Sequence, residues 1–202
     1  VTIAELGPGN SLGPWLAGML CGANRLYAFD VVNNMKIENN LLILDELVEL
    51  FSKQVPIPGE DEFPGLLPVL DCYDFPSHIL TPERLRVSLR RERVETIKAA
   101  IRGEETSGDI EIKYYCPWYD ANLIQKESVD MIYSQSVLEH IDNIEQTYSA
   151  MSQWLTPGGY VSHVVDFSCH NLATEWNGHW QYSPLVWRLI RVKKPYLLNR
   201  VP

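Results

Sequence analysis

The chain has 202 residues, 46% of them hydrophobic and 21% charged, a composition typical of a folded globular protein with a sizeable core. Its net charge of −9 disfavours a nucleic-acid substrate, because an acidic surface repels phosphate. Four scattered cysteines without metal-ligand spacing, and the lack of a long apolar run or leader, favour a cytoplasmic protein with reduced thiols and no metal.

The beginning of the chain predicts a β-α-β unit. The apolar pattern predicts a strand, a helix and a second strand over residues 1–6, 11–20 and 25–29. Gly7 and Gly9 lie in the first turn, where glycine permits a sharp bend and the close approach of a ligand to the backbone. Asp30 ends the second strand, where a carboxylate can accept hydrogen bonds from ribose hydroxyls. We therefore expect a small molecule across this strand end.

The residues of the turn distinguish two classes of ligand. A dinucleotide-binding turn has a third glycine, but Leu12 occupies that place and Gly13 follows one residue late. Glu5 would repel a pyrophosphate and would hold an ammonium group well. The sequence E-L-G-P-G resembles the first motif of class I S-adenosylmethionine-dependent methyltransferases. A glycine turn in an unrelated α/β protein is the alternative.

The middle of the chain predicts helices around a proline-rich segment. Residues 41–53 have apolar side chains at helical spacing. Residues 55–80 contain many prolines, which favour a lid or a surface loop with a short strand at residues 67–72. Thr81 predicts the start of one helix that Gly103 ends, with its arginines on a solvated face or, less favoured, at an anion site.

The second half of the chain continues the alternation of strands and helices. Further strands are predicted over residues 110–116, 129–134 and 160–165. Asp142 is the predicted cap of a helix over residues 143–155, which T-P-G-G ends. Strands and helices that alternate across short loops predict an α/β domain with a parallel sheet and right-handed crossovers.

Four motifs follow the order and spacing of the class I methyltransferase family over residues 1–165. They are E-L-G-P-G, D-A after the third strand, V-D-M-I-Y-S with Q-S-V-L-E-H-I, and L-T-P-G-G. The resemblance implies a Rossmann-like, doubly wound sheet of strand order 3-2-1-4-5 with an insertion at about residues 55–108. It implies S-adenosyl-L-methionine as cofactor and no metal. The implied contacts are Glu5, Gly7 and Gly9 for the methionine end, Asp30 for the ribose, Asp120 and Ala121 for the adenine, and Ser134, Gln135 and Ser136 beside the sulfonium.

The tail, residues 163–202, interleaves tryptophans with histidines and other polar groups. Aromatic faces beside hydrogen-bonding groups suit a sugar or another polyhydroxylated acceptor. The pattern H-x-x-D-x-x-x-H, followed by W-x-x-S-P and Y-x-x-N-R, resembles methyltransferases encoded among bacterial surface-polysaccharide genes. Candidate general bases are His163 and Asp166, with His140 as a further candidate. Polar groups that tie the tail to the sheet, or a metal site that includes His170, are the alternatives.

These patterns predict a single methyltransferase-like domain over residues 1–202 that O-methylates a sugar or polysaccharide precursor. The alternative functions are methylation of a small metabolite or lipid precursor, nicotinamide-dependent oxidoreduction, and cofactor binding without catalysis. The expected partner is a small-molecule or saccharide acceptor, without nucleic acid or a membrane span. Because the chain begins within a strand and residues 184–198 predict helix and loop, we expect a fragment that lacks the family's final hairpin.

Overall fold

The computed structural model describes residues 1–65, 69–106, 108–118, 120–192, 194 and 196–201. The strands are β1 (Thr2–Leu6), β2 (Arg25–Phe29), β3 (Glu111–Tyr115), β4 (Val129–Gln135) and β5 (Leu155–Val164). The α-helices are α1 (Gly13–Leu20), α2 (Ile37–Lys53), α3 (Pro82–Ser88), α4 (Arg91–Ile101), α5 (Ile144–Trp154) and α6 (Pro184–Arg191). Short 3-10 turns occur at Ala121–Leu123, Leu138–His140 and Gly178–Gln181. Among the described residues, no helix has the length and apolar character to span a membrane.

The five strands form one parallel sheet in the order β3-β2-β1-β4-β5. This order confirms the predicted Rossmann-like, doubly wound architecture. β4 and β5 pair in parallel, with Ser134 opposite His163. The strand order reverses between β1 and β4, and sheets of this kind bind ligands beyond the carboxyl ends of their strands at such a switch point.

The chain forms two compact units. The first comprises residues 1–3, 9–27 and 32–114, and the second comprises residues 4–8, 28–31 and 115–202. In the first unit the core includes fully buried Trp15, Leu16, Leu44 and Ile97. The buried Asn40 side chain of α2 accepts a hydrogen bond from the Leu12 backbone N–H at 2.8 Å, which fixes α2 against the start of α1.

The arginine-rich segment of the first unit differs from its prediction. It forms two helices, α3 and α4, because Arg90 takes an extended backbone (ψ 136°) that a helix cannot continue. The Arg93 guanidinium is not on a solvated face: it donates to the carbonyls of Met19 at 3.1 Å and Ala23 at 2.7 Å. These contacts satisfy carbonyls at the end of α1, where a cation is favourable.

Other predicted boundaries also shift. Asn143, not Asp142, caps α5, because the Asn143 Oδ1 accepts from the Gln146 backbone N–H at 3.1 Å. T-P-G-G lies inside β5 rather than before it, since β5 begins at Leu155. Of the strand predicted at residues 67–72, residues 67 and 68 lie outside the described residues, and residues 69–72 form no strand. After β5, the described residues include no further strand.

The core of the second unit is built on stacked aromatic rings. The fully buried rings of Phe29 and Trp154 lie 4.4 Å apart and nearly parallel. The Trp154 Nε1–H donates to the Ala121 carbonyl at 2.6 Å, which satisfies the polar atom of a fully buried side chain. This packing joins the end of β2 to α5 and to the turn that follows β3.

The tail is tied to the turn that follows β4 through Asn199. The Asn199 side-chain amide donates to the carbonyls of Leu138 and Ile141, both at 2.7 Å. The Asn199 backbone N–H donates to the Glu139 carbonyl at 2.5 Å. Three hydrogen bonds from one residue therefore fix residues 196–201 beside the carboxyl end of β4.

Candidate functional site

A cavity of about 1140 Å³ lies at the carboxyl ends of β1, β2 and β4, and all of its lining residues belong to the second unit. One side, here called the strand-end wall, consists mainly of Gly7, Phe29, Asp30, Val31, Trp118 and Ser136. The other side, here called the tail wall, consists mainly of Trp180, Trp187, Arg188, Lys194, Tyr196 and Arg200. Residues 140–143 and the first turn of α5 also contribute to the lining.

Gly7 occupies a place that a larger residue cannot take. Its φ is +64°, and its backbone N–H donates to the Phe29 carbonyl at 2.8 Å. A Cβ atom at this position would lie 2.6 Å from Cγ2 of Val137, closer than van der Waals contact permits. The predicted glycine turn thus has both a conformational and a steric cause.

Asp30 is held rigidly at the end of β2. Its Oδ1 accepts from the Val31 backbone N–H at 2.7 Å, and its own N–H donates to the Tyr115 carbonyl at 3.0 Å. Its carbonyl accepts from the Trp118 N–H at 3.2 Å. The side chain is only 8% exposed, yet it lines the cavity. Burial, and after it the Asp30 charge, raises the pKa of the neighbouring Cys116 thiol.

Trp118 adds an aromatic surface that the sequence reasoning did not single out. Its ring lies 5.6 Å from the ring of Phe29 and 5.6 Å from that of Trp154. Because two buried rings support it, the indole offers the cavity a preformed flat face. The available signal in the sequence was an aromatic residue close after the carboxyl end of β3.

Glu5 and Gly9, the other predicted residues of the first motif, do not line the cavity. Glu5 is buried, and its Oε2 accepts a hydrogen bond from the Tyr133 hydroxyl at 3.0 Å. Burial, followed by the Glu5 charge and this hydrogen bond, raises the Tyr133 pKa far above its usual range, so the phenol stays a donor. Gly9 has a φ of +65° and belongs to the first unit.

The predicted adenine contacts have other partners in this structure. The Asp120 Oδ1 accepts from the backbone N–H and the side-chain amide of Asn122, both at 2.8 Å, and so caps the following 3-10 turn. The Ala121 carbonyl is the acceptor for Trp154 described above. Neither residue lines the cavity, and their contact with adenine stays a prediction.

The three predicted residues at the end of β4 diverge. Ser136 lines the cavity with a φ of +52°, whereas Gln135 is exposed outside it. Ser134 is 1% exposed, and its hydroxyl lies 2.8 Å from Nδ1 of His163 on β5. Of this set, the structure places Ser136 alone at the cavity.

The candidate bases lie in different environments. His140 lines the cavity, and its buried Nδ1 has no hydrogen-bond partner among the described residues. His163 lies outside the cavity, and burial lowers its pKa. Asp166 also lies outside, with its carboxylate 2.8 Å from both the Ser168 N–H and the His170 Nε2. The bond from the Ser168 N–H is the main cause of its lowered pKa.

The histidines of the tail do not form a metal-binding group. Within the described ranges, no set of three or more histidine, cysteine, aspartate or glutamate side chains is arranged to hold a metal ion. His170 and Asp166 instead form an isolated pair beside His140, whose ring centroid lies 5.4 Å from that of His170. Of the three candidate bases, His140 is the one that lines the cavity.

The tail wall is aromatic and basic. The Arg200 guanidinium lies 5.7 Å and 5.5 Å from the ring centroids of Trp180 and Trp187 and donates to the Trp180 carbonyl at 3.0 Å. Arg188 and Lys194 are exposed at the cavity and form no ion pair with any described carboxylate. Sequence reasoning had identified the aromatic residues but had assigned no role to these cations.

Residues 85–162 match the family model described as "Methyltransferase domain". No curated protein matches the chain. Among solved structures, the chain resembles the crystal structure of CurJ carbon methyltransferase with 15% identity and a TM-score of 0.36. That alignment covers 99% of this chain but only 38% of the other protein. The family match is confined to residues 85–162, which therefore resemble a methyltransferase domain, and the observed strand order is that of a Rossmann-like, doubly wound sheet.

Proposed function

We propose that this chain transfers a methyl group from S-adenosylmethionine to a hydroxyl of a sugar or polysaccharide precursor. The observation that carries the proposal is the cavity at the sheet's switch point, with Gly7 and Asp30 in its strand-end wall. This is the place where an open α/β sheet binds a nucleoside-containing ligand. The aromatic tail wall on the other side supports a polyhydroxylated acceptor, because sugar C–H faces pack on aromatic rings.

The strand-end wall fits the cofactor chemically. Gly7 lines this wall at a position where only glycine fits, because a Cβ there would meet the Val137 side chain. Asp30 offers a buried, fixed carboxylate to ribose hydroxyls, and Trp118 offers a flat face to a planar base. Glu5, buried in β1 outside the cavity lining, is proposed to favour the ammonium group of the methionine end through its charge.

For methyl transfer, the protein chiefly has to position the acceptor hydroxyl and remove its proton. When bound, S-adenosylmethionine supplies a methyl group that its positive sulfur activates for displacement. The cavity residues would hold the acceptor hydroxyl beside the bound cofactor and exclude water. His140 is proposed to take the hydroxyl proton, since it alone of the three candidate bases lines the cavity.

Calorimetric titration tests the cofactor class. S-adenosylhomocysteine should bind to the purified chain and NAD should not. Asp30→Ala should lower the affinity for S-adenosylhomocysteine about 10- to 100-fold, because charge-assisted hydrogen bonds are lost. Asp71→Ala, which removes an exposed carboxylate in the first unit, is the matched control and should leave binding unchanged. Binding of NAD instead, or equal effects of the two variants, would show that the assignment is wrong.

A screen with isotopically labelled methyl donor then tests the acceptor class. Transfer of label to neutral or charged sugars, and not to lipid or quinone precursors, is the result that the proposal expects. Label in a lipid precursor would refute the sugar assignment while it left the methyltransferase assignment intact.

A further inference from the structure

The cations of the tail wall are unusual for this chain. The protein has 26 acidic and 17 basic residues, yet Arg188, Arg191, Lys194 and Arg200 all line one cavity. In an acidic protein, most basic side chains have carboxylates near them. Solubility alone therefore does not explain why four cations lie at one side of a cavity.

Only one of these cations is neutralised by a described carboxylate. Arg191 meets Asp142 through two hydrogen-bonded contacts, Nη1 to Oδ1 at 2.8 Å and Nη2 to Oδ2 at 3.0 Å. Asp30, the other carboxylate of the lining, belongs to the strand-end wall. Arg188, Lys194 and Arg200 have no ion pair in the part of the chain that the structure describes.

Arg200 is preorganised for a ligand. The rings of Trp180 and Trp187 lie under its guanidinium, and one Nη2–H is fixed on the Trp180 carbonyl. Its neighbour Asn199 is bound to the turn that follows β4. A guanidinium has five N–H donors, so this arrangement fixes the side chain while it leaves donors for an anion.

From these contacts we infer that the methyl acceptor carries an oxyanion, a phosphate or a carboxylate, which Arg188, Lys194 and Arg200 bind. This inference rests on the proposed function and narrows its acceptor to sugars that bear a negative charge. Two exposed cations beside one fixed guanidinium suit an oxyanion, because guanidinium groups recognise its geometry and ammonium groups add charge. The adjacent aromatic rings would pack on the sugar to which the anion is attached.

The test compares three sugars on protein saturated with S-adenosylhomocysteine. Glucose, glucose 1-phosphate and glucuronate are titrated by calorimetry at two salt concentrations. The inference expects at least one charged sugar to bind tenfold or more tightly than glucose, with an affinity that falls as salt rises. A preference for the phosphate identifies a phosphorylated acceptor, and a preference for glucuronate identifies a uronic acid.

Paired variants locate the anion site. The double variant Arg188→Gln with Lys194→Gln should lose at least tenfold in affinity for the preferred charged sugar, without a change in S-adenosylhomocysteine binding. Lys126→Gln, which removes an exposed cation outside the cavity, should have no effect. Equal binding of glucose and the charged sugars, no binding of either charged sugar, or an unaffected double variant would overturn the inference.

The two proposals fail in distinguishable ways. If S-adenosylhomocysteine does not bind, the proposed function fails, and the same titrations are made without it. Tight binding of a charged sugar that depends on Arg188 and Lys194 would then still establish the anion site. If the homocysteine nucleoside binds and neutral sugars alone accept the methyl group, the proposed function stands and the anion site is wrong.

Discussion

The two walls of the cavity differ in what builds them. The strand-end wall depends on backbone geometry: a glycine with positive φ, a carboxylate that accepts from the N–H of the next residue, and the ends of parallel strands. The tail wall consists of long side chains from the 3-10 turn before α6, from α6 and from the segment after it. Under the proposed function, the strand-end wall would bind the cofactor and the tail wall, from a later segment of the chain, would bind the acceptor. Variants in the two walls should therefore affect different ligands.

The sharpest test of this division is at His140, on the turn between the walls. His140→Gln should lower kcat about 100- to 10,000-fold, the usual contribution of a positioned general base, with little change in cofactor binding. Single-turnover methyl transfer, followed with labelled donor, measures the effect. His78→Gln, an exposed histidine of the first unit, is the control. Full activity in His140→Gln would exclude this residue as the base and would leave His163 and Asp166 as the candidate bases.

The strand-end wall is tested at its glycine. Gly7→Ala combines a left-handed backbone with a Cβ 2.6 Å from Val137, and we expect it to cost about 2–3 kcal/mol in the free energy of unfolding. Binding of S-adenosylhomocysteine should weaken as well. Gly9→Ala has a similar φ but no heavy atom within 4 Å of the added Cβ, so only about 1 kcal/mol is expected. Urea unfolding compares the two; equal losses would show that the contact with Val137 is not the cause.

The tail wall is tested at its attachment. Asn199→Ala leaves the carbonyls of Leu138 and Ile141 without their side-chain donor, which should cost about 1–3 kcal/mol. The affinity for the acceptor should fall, while that for S-adenosylhomocysteine should not. Asn39→Ala, at an exposed position of α2, should change stability by less than about 0.5 kcal/mol. A loss of cofactor affinity in Asn199→Ala would contradict the separation of the two walls.

The smallest expected effect is the pH dependence from His163, which lies in neither wall. Burial lowers its pKa below the unfolded value of 6.5, so the unfolded chain binds more protons in that range. Its contribution to stability is therefore present above about pH 6.5 and decreases as the pH falls through the folded pKa. Urea unfolding at several pH values from 7.5 to 5 measures how the free energy of unfolding changes with pH. This change should be smaller in His163→Gln than in the parent chain, and the same as in the parent chain in His78→Gln. An equal change in His163→Gln and the parent chain would mean that His163 does not contribute.

The alternation of strands and helices and the positions of Gly7 and Asp30 could be predicted from local patterns, whereas the strand order was implied by the family resemblance. The break before α4 and the burial of Arg93 could not be predicted, since Arg93 meets carbonyls about 70 residues away in the chain. A helical pattern does not show such a long-range contact.

Long-range contacts also limited the prediction of the candidate site. Nothing in the pattern of α6 indicates that Arg188 lines the same cavity as Arg200, because that depends on how Asn199 attaches the tail. Likewise, the position of His163 outside the cavity follows from the pairing of β5 with β4, which sets it opposite Ser134. Chain order located the strand ends, whereas three-dimensional packing decided which side chains reach the cavity.

The stacking of Arg200 on Trp180 and Trp187 has an optical consequence. Indole emission responds to nearby charge and to solvent, and Trp180 is 40% exposed in the tail wall. An anion bound to Arg200 would alter the field at both rings, so intrinsic fluorescence would report occupancy of the acceptor side without a label. Trp118 lies in the strand-end wall, so single Trp→Phe variants would separate the signals of the two ligands within one cavity.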